Sequence, residues 1–452
     1  MKQNKLKKIA IIGSGVYGSY IARRLTDQSD LSLTIFEIGN KKISTDTNLN
    51  IPSKIINEEY SGTSKGRFFG LGGTSSKWGG KILFFDKNSF NSAGTFLSQL
   101  VDLNVKYSKL VKSIIKIKSK QNNSIKLNNS SYRLEYGDWL FPFRKNFFKI
   151  FGINNLKNIN LLENSKVIKL VNKDSGANVI YQQDGKLKNN DFDFIFLCSG
   201  AFECARILVQ SKLENPKLNF SDHVGIQFGK SKGPMYFFGH DFSYKFSKFS
   251  LRTSRLSSEF KRRSFYIHPI IDMNRGFLMI LKKILKEDFK ISDILSFFKF
   301  IFIDIYWLFK CFIYRKLLPR NNTWRLNMTI ENNDSRNFVN FKKSKDDSLI
   351  MEIDYQVGDN LKKDINEIIN NLKLDLNDCN INFFNTSKFS NYEDVYHPFG
   401  LFEFDNLRHF KNKYGKIICF STAILPRSGS INPTGAILPV IEYILNEKPW
   451  ND

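Results

Sequence analysis

A glycine-rich turn near the start of the chain constrains its fold more than any other feature. Residues 8–18 read KIAIIGSGVYG: an uninterrupted apolar run, typical of a strand buried on both faces of a parallel sheet, is followed at once by G-x-G-x-x-G. The glycines suit a tight turn, a close approach of the backbone to a pyrophosphate, and close packing of strand against helix. Residues 19–25 are then predicted to form a helix whose N-terminus faces the phosphates. The candidate dinucleotide-binding residues of this turn are Gly13, Ser14, Gly15, Tyr17 and Gly18.

The next strand ends in an acidic residue. Residues 31–36 form a second β-rich run, and Glu37 follows it. A carboxylate there can accept hydrogen bonds from an adenosine ribose. A glycine turn and a strand-end acid occur in other α/β proteins too, but here strand, turn, helix, strand and acid are all present in order. The sequence therefore predicts a Rossmann-like α/β domain with Glu37 in its cofactor site, and at this point NAD, NADP and FAD all remain open.

Composition predicts a globular protein and gives no reason to expect a nucleic-acid partner. The 452 residues suffice for one large or two moderate domains, and an apolar content of 42% predicts a globular core. The formal net charge is +25, but the lysines are scattered among asparagines along the chain. Because no nucleic-acid motif accompanies the charge, no nucleic-acid partner is predicted.

Cysteine usage favours a reducing compartment. The five cysteines include no C-x-x-C pair, and an odd number argues against a disulfide framework. No metal site is predicted. The N-terminal MKQNKLKK runs directly into the first strand and leaves no room for a cleavable signal. We therefore expect the protein in the cytoplasm, or peripheral on the inner face of a membrane.

A second glycine-rich segment carries a family resemblance. Residues 66–80 read GRFFGLGGTSSKWGG, and so many glycines allow the backbone to run flat against a ligand. The run L-G-G-T-S-x-x-W-G-G resembles the second flavin-contacting motif of the glucose-methanol-choline oxidoreductases. Its tryptophan makes it more similar to the branch of pyranose oxidases and sugar or polyol dehydrogenases. The resemblance implies FAD contacts by Gly72, Gly73, Thr74, Ser75, Trp78, Gly79 and Gly80. Lys77 stands where the pyranose oxidase version has a histidine that bonds the flavin, so the FAD is expected to be non-covalent.

The middle of the chain continues the same motif order. Residues 161–170 resemble the family's strand in which a valine, here Val167, holds the adenine end through its main chain. Residues 191–209 resemble the strand and helix that close the flavin sheet, which implies that Ser199 and Gly200 lie near the diphosphate. An ordinary strand and crossover helix remains an alternative for this segment. In the SDHVG run that follows, we expect His223 to be structural rather than catalytic.

The chemistry is expected near the C-terminus. His397 begins an H-P-x-G motif, and residues 428–434, SGSINPT, resemble the family's S-G-x-x-N-P-T. The resemblance implies that His397 and Asn432 flank the reactive face of the flavin, with Ser421, Pro433 and Thr434 also in the cofactor site. Oxidising an alcohol requires a base within reach of the hydroxyl proton, and a neutral amide can donate to the same oxygen as negative charge develops.

Two departures from the family pattern occur here. Residues 401–404 read LFEF where the family often has T-x-R-M, and Ser421 stands where an acid is common. These changes put contacts to the diphosphate in doubt.

Alternating residues at 226–260 and 323–357 predict antiparallel strands, and ENNDSR at 331–336 resembles a turn leading into a central strand of their sheet. The resulting fold class is α/β, with a Rossmann-like FAD-binding domain and a mostly antiparallel, α+β substrate domain. The expected FAD-binding segments are 1–90, 156–225 and 396–452. The expected substrate-binding segments are 91–155 and 226–395.

An unusual insertion lies within the substrate domain, at about 276–320. Residues 294–308 are dense in large apolar side chains, yet the nearby charges Asp293, Lys299, Asp304 and Lys310 fall within about 140° on a helix at 100° per residue. Such a helix is amphipathic and poorly suited to cross a membrane. With basic residues around it, it suits an anionic membrane interface; a helix packed on the protein or in an oligomer interface is an equal alternative.

The sequence thus predicts an FAD-dependent enzyme that oxidises an alcohol group of a sugar, polyol or glycoconjugate by hydride transfer to flavin N5. A lipid-linked sugar becomes attractive if the insertion binds membrane. Two alternatives stay open: a flavin-dependent reductase of a carbonyl or double bond, and a degenerate flavin-binding subunit without chemistry. The electron acceptor, the exact substrate and the oligomeric state are not predicted.

Overall fold

The structure confirms the predicted fold class. In this computed structural model the described residues are 6–451, with gaps at 50, 52, 58–59, 64, 118–123, 128–129, 141–143, 234–235, 239, 243, 248–249, 271–278, 281–282, 284–289, 319–322, 334–335, 345–347, 378 and 386–391. Within these residues a parallel sheet and a large antiparallel sheet dominate.

The parallel sheet is the framework of the first layer. Its order is β25-β11-β1-β2-β7, and neighbouring strands are all parallel. The strands are β1 (Lys7–Ile12), β2 (Leu31–Phe36), β7 (Ile159–Leu162), β11 (Phe194–Leu197) and β25 (Ile417–Cys419). The side chains of β1, β2, β11 and β25 are mostly buried on both faces, as continuous apolar runs require, whereas β7 at the sheet edge is partly exposed. Because the strands come from distant parts of the chain, the sheet forms only when both ends of the chain meet.

Helices pack around both sheets. Among the described residues they are α1 (Val16–Leu25), α2 (Thr95–Ile114), α3 (Phe147–Ile150), α4 (Ala201–Gln210), α5 (Asp293–Ile313), α6 (Asp359–Asp375), α7 (Leu407–Asn412) and α8 (Thr434–Glu447). Of these, α1 contacts β1 and β2, and α7 contacts β25. The sequence predicts α2 for the substrate-facing layer. Instead α2 packs against α8, where the Asn104 side chain donates to the carbonyl of Ala436 at 2.9 Å.

The antiparallel sheet forms the second layer. Its described strands are β4 (Lys81–Ile82), β5 (Ser124–Lys126), β6 (Arg133–Leu140), β13 (Asp222–Lys232), β16 (Tyr244–Ser247), β17 (Ser250–Phe260), β18 (Arg263–Ile270), β19 (Lys316–Leu317), β20 (Thr323–Asn332), β23 (Ile381–Phe383) and β24 (Glu393–Asp394). β13 lies next to one end of the sheet, where it pairs with β20 on one side and with β23 and β24 on the other. The predicted alternation holds in β20 for Leu326 and Met328, but both faces are buried from Thr329 onward, where Glu331 pairs with Arg427.

Smaller sheets flank these layers. They comprise β8 (Ser165–Lys173), β9 (Gly176–Gln183) and β10 (Lys186–Phe192); β3 (Ser53–Ile55), β12 (Lys217–Asn219), β21 (Phe338–Lys343) and β22 (Leu349–Asp354); and β14 (Tyr236–Phe237) with β15 (His240–Asp241).

Three local predictions need correction. Residues 161–170 form two strands rather than one, since β7 ends before Asn164, which turns the chain with a φ of +52°. The polar composition of residues 122–129 predicts a loop, but the described part of this segment contains β5. Residues 331–332 still belong to β20, so the predicted turn begins later, and residues 334–335 lie outside the described residues.

Candidate active site

A cleft opens at the carboxyl ends of the parallel strands, where α/β sheets place their ligands. Its empty volume, including the open mouth, is about 1270 Å³. The sequence-predicted residues that line it are Gly13, Gly15, Tyr17, Glu37, Gly73, Thr74, Ser75, Trp78, Val167, Ser199, Gly200, Thr434 and His397. The structure therefore brings motifs from both ends of the chain to one cavity.

The glycine turn has the geometry that its spacing predicts. A Cβ on Gly18 would lie 1.9 Å from the carbonyl oxygen of Gly13, so helix and turn can pack only with glycine there. Gly13 itself has a φ of +98°. Gly15 differs from both: it precedes α1, and a Cβ there would meet no atom within 4 Å. Gly200, with a φ of +85°, precedes α4 in the same way and faces equally open space.

Two helix N-termini thus open into the cleft through bare backbone. Neither α1 nor α4 has a side-chain cap, so their first N–H groups and dipoles are free to face an anion. Such an arrangement suits the pyrophosphate of a dinucleotide.

Glu37 is engaged within the protein. One carboxylate oxygen accepts hydrogen bonds from the backbone and hydroxyl of Ser14 at 3.0 and 2.7 Å. The other accepts from the backbone of Gly39 and Gly70, both at 3.0 Å. A carboxylate offers about four acceptor positions, so these bonds use them all. The ribose-binding role predicted for Glu37 stays a prediction; in the structure Glu37 clamps the first glycine turn to the second glycine-rich loop.

The second glycine-rich loop packs directly on the first. Gly72, with a φ of +97°, leads into a short 3-10 helix at Gly73–Ser76, and a Cβ on Gly73 would lie 3.3 Å from the Cα of Gly15. The indole nitrogen of Trp78 donates to the carbonyl of Lys145 at 3.0 Å, which fixes the ring at the cleft wall.

An ion-pair network that the sequence did not predict lies beside Val167. Arg67 contacts Glu203 at 3.0 Å and Asp46 at 3.3 Å, and Arg206 contacts Glu203 at 2.7 Å. Arg206 also donates to the carbonyl of Val167 at 2.9 Å. The adjacent arginines hold the pKa of Glu203 below its usual range despite its burial. No local motif marks this network, because Asp46 and Arg67 are far in sequence from Glu203 and Arg206.

His397 is positioned by the start of β13. The backbone of Phe399 exchanges two 2.8 Å hydrogen bonds with Ser221, and β24 pairs with β13 just before His397. The Asp222 carboxylate accepts from the backbone N–H groups of His397 and His223 at 2.9 and 2.6 Å, and from the Tyr60 hydroxyl at 2.7 Å. Burial raises the pKa of Asp222 to about 7.

The His397 imidazole is held neutral. Burial, with contributions from His223 and Arg255, lowers the pKa of His397 from 6.5 to about 3. Among the described residues, its Nδ1 is buried without a hydrogen-bond partner. The ring of His223 lies 5.8 Å from it, centroid to centroid, and the Nε2 of His223 donates to the Gly429 carbonyl, 2.9 Å away. The sequence did not predict this neighbour for His397.

More buried nitrogens without partners lie next to these histidines. Tyr266 lies 6.3 Å from His223 and 5.4 Å from His268, and the Arg255 guanidinium lies 4.3 Å from the Tyr266 ring. The atoms concerned are His223 Nδ1, His268 Nδ1 and Arg255 Nη1. Buried polar atoms are rarely left unsatisfied, so this region suits a polar ligand.

The loop at 428–434 is pinned by two buried carboxylates. Glu331 accepts from the backbone of Ser428 and Gly429 at 3.0 and 2.8 Å and pairs with Arg427 at 2.7 Å. Glu135 accepts from the hydroxyl of Ser430 at 2.6 Å. Each carboxylate belongs to the antiparallel sheet, so the loop joins the two layers.

The remaining predicted residues lie behind the cleft lining. Asn432 is half-buried, and its side-chain oxygen accepts from the backbone of Thr434 at 3.4 Å; its predicted approach to the substrate oxygen stays a prediction. Ser421 is fully buried beside Cys419, and the next residue, Thr422, faces the cleft instead. The other predicted residues outside the lining are Ser14, Gly18, Gly72, Gly79, Gly80 and Pro433.

Solved structures with a similar fold include a pyridoxine 4-oxidase and a formate oxidase. The chain is similar to a pyridoxine 4-oxidase from Mesorbium loti, with a TM-score of 0.57 and 13% sequence identity over 98% of this chain and 99% of that one. It is also similar to a formate oxidase from Aspergillus oryzae RIB40, studied for modification of its FAD, with a TM-score of 0.55 and 11% identity over 98% of each chain. No family model and no curated protein matches the sequence. At such identities the similarity shows the fold.

Proposed function

We propose that this chain is an FAD-dependent oxidoreductase of the glucose-methanol-choline type that oxidises an alcohol group of a sugar, polyol or glycoconjugate. One observation carries the proposal: a neutral histidine, His397, lines the same cleft as the open backbone of Gly15 and Gly200. A redox cofactor and a proton acceptor would therefore occupy one cavity.

The cleft fits FAD at its phosphate end. The empty positions beside Gly15 and Gly200 leave room for a pyrophosphate against the N-termini of α1 and α4. The FAD named for the formate oxidase of similar fold supports this choice over NAD or NADP. When bound, the flavin would supply the acceptor for the hydride. We expect non-covalent binding, because Lys77 replaces the histidine of the covalent version.

His397 would act as the base. Its imidazole is neutral at physiological pH and so has a free position for the hydroxyl proton, while burial lowers its pKa and makes it a weaker base. Asp222 fixes the backbone of His397, and His223 packs edge-on against its ring. Asn432 would orient the substrate oxygen by donating from its amide nitrogen, while its side-chain oxygen accepts from the backbone of Thr434.

The buried polar groups near His397 suit an oxygen-rich substrate. The unpartnered nitrogens of His268 and Arg255 could each bond to a hydroxyl or ring oxygen of the ligand. A small sugar or polyol would satisfy them, and a lipid-linked sugar is the same chemistry presented from a membrane. The electron acceptor is left open in this proposal.

The test is spectroscopic. We expect purified protein, alone or after reconstitution with FAD, to show flavin absorption, and a panel of sugars and polyols to bleach it anaerobically. Absence of flavin bands after adding FAD would refute the whole proposal. Flavin that no alcohol bleaches, but that a reduced donor and a carbonyl substrate cycle, would instead support the reductase direction.

A further inference from the structure

Helix α5 packs with its polar side inward. Asp304 is 2% exposed, and Asp293, Trp307 and Cys311 are also buried. At 100° per residue these four positions fall within about 60° of one another, so a narrow side of the helix meets the protein. Trp307 donates to the carbonyl of Leu318 at 3.1 Å, and Lys283 pairs with Asp293 at 2.5 Å. These contacts join α5 to the segment before it and to the chain at β19, on the edge of the antiparallel sheet.

The opposite side of α5 is apolar and faces outward. Phe302 is 73% exposed and Phe312 is 80% exposed. The exposed large apolar residues of this face, called the outer face below, are Leu295, Phe298, Phe302, Ile305, Tyr306, Phe309, Phe312 and Ile313. On the helix they span about 120°, centred opposite the buried side. A continuous apolar surface of this kind marks a site that another body covers.

Charge indicates which body covers it. Lys299 and Lys310 border the outer face on one side, and Lys310 lies 4.6 Å from the Tyr306 ring with its stem along the apolar surface. Lys290 precedes the helix and Arg315 follows it. The whole chain carries a formal charge of +25. A second copy would bring the same charge to the contact, whereas an anionic lipid surface attracts it.

None of the described helices is long and apolar enough to cross a membrane. We propose that α5 lies in the plane of a membrane containing anionic lipid, with its outer face in the boundary between headgroups and acyl chains and its lysines among the phosphates. Because α5 is fixed to the sheet, binding would hold the whole protein in one orientation. This inference does not depend on the proposed chemistry.

Vesicle flotation with the full chain tests the lipid preference. We expect the protein to float with vesicles of phosphatidylcholine mixed with phosphatidylglycerol, and far less with phosphatidylcholine alone. Raising the salt from about 0.1 M to about 1 M should weaken binding, because it screens the lysines. A wild-type protein that stays in the bottom fraction with anionic vesicles would overturn the proposal.

Matched variants test the surface. Phe302→Ser with Phe309→Ser should lower partitioning at least about tenfold, since two apolar side chains no longer enter the membrane. Lys299→Glu with Lys310→Glu should lower it roughly fivefold for each lysine. The control pair is Leu187→Ser with Leu374→Ser, which are 70% and 77% exposed on β10 and α6 and should bind as the wild type does. Circular dichroism should show all three proteins folded.

Light scattering tests the remaining alternative, in which a second copy of the chain covers the outer face. If the wild type were a dimer and the Phe302→Ser, Phe309→Ser variant a monomer, a second copy would cover the outer face and the membrane proposal would fail. Equal flotation of that variant and the wild type would overturn it as well.

Discussion

Three buried carboxylates, Glu37, Asp222 and Glu331, accept hydrogen bonds from the backbone of the motifs that line the cleft. Each fixes at least two backbone N–H groups, in the glycine turns, at His397 and in the 428–434 loop respectively. Hydrogen bonds to a carboxylate are stronger than those between neutral groups. At the scale of single residues, the site is therefore positioned by acids that do not need to touch a ligand.

His397→Ala should lower kcat by at least about a hundredfold, because the base is lost while the cofactor contacts remain. Flavin content should stay unchanged. In the wild type, the lowered pKa of about 3 keeps His397 neutral, so kcat/KM should show no ionisation of this group from about pH 5 upward. His409→Ala, at an exposed ion pair with Asp405, is the matched control. Unchanged turnover in His397→Ala would contradict the assigned role.

Asp222 should make stability depend on pH. Its pKa is raised by burial to about 7 in the folded protein, above its usual value, so the folded state binds the proton more tightly. The contribution of Asp222 to the free energy of unfolding should be largest below about pH 4 and fall as pH rises to about 7, by a few kcal/mol at most. Asp222→Asn should remove this slope in thermal melts, and exposed Asp405→Asn should keep it. A slope that survives in Asp222→Asn would refute the assignment.

At the scale of elements, loops and helix N-termini line the cleft. Strands and buried carboxylates fix these loops in place. The glycines of the first turn divide into two kinds, those that allow packing and those that leave room for a ligand. The 428–434 loop likewise reaches the cleft, at Thr434, because the antiparallel sheet anchors it.

Gly15→Ala and Gly18→Ala should separate these two roles. The added methyl at Gly15 meets open space at an ordinary φ of −65°, so the protein should fold normally but bind FAD at least about tenfold more weakly. At Gly18 the methyl would lie 1.9 Å from a backbone oxygen, so thermal stability should fall by several kcal/mol, about the scale of severe overpacking. Calorimetry and fluorescence titration with FAD measure both. Equal FAD affinity in Gly15→Ala and wild type would argue against a pyrophosphate at this turn.

Glu331→Ala should release the 428–434 loop. Arg427 would be left without its nearest buried partner and two backbone N–H groups without acceptors, which costs about 3–5 kcal/mol in comparable buried pairs. Chemical denaturation should report this loss. Glu367→Ala, whose pair with Lys261 is half exposed, should change stability by less than about 1 kcal/mol. Similar losses in both variants would show that the loop is not anchored through Glu331.

At the scale of the whole molecule, the cleft joins chain segments that are distant in sequence. Residues from 12 to 78, from 165 to 207 and from 396 to 434 line one cavity. A ligand in the cleft would therefore stabilise the fold as a whole and not a local element.

Adding FAD to cofactor-free protein should raise the thermal midpoint. At about one hundred times the dissociation constant, a ligand that binds only the folded state contributes about 2.7 kcal/mol. NAD and NADP at equal concentration should give little shift, because the proposed site is specific for FAD. Differential scanning fluorimetry measures all three. An equal shift of the thermal midpoint with NAD would indicate that the site binds a nicotinamide cofactor as well as FAD, and would contradict the proposed specificity.

Local order was predictable because strands, helices and glycine turns depend on nearby residues. The pattern around Gly13 to Gly18 predicts β1, α1 and β2, and the apolar run at 194–197 predicts β11. The strand break at Asn164 and the short β5 were missed, since one turn residue and a strand of three residues carry too weak a periodicity.

The sequence by itself determined the fold class and the motifs that belong to the cleft, since spacing and apolar periodicity encode them directly. Only the tertiary structure decided what surrounds His397 and which side of α5 faces the protein. The pairing of His397 with Asp222 and His223, and the anchoring of 428–434 by Glu331, join residues far apart in the chain. The outward face of α5 depends on burial of Asp304, which no local pattern reveals. Such contacts arise from packing between layers, and packing is a property of the folded chain.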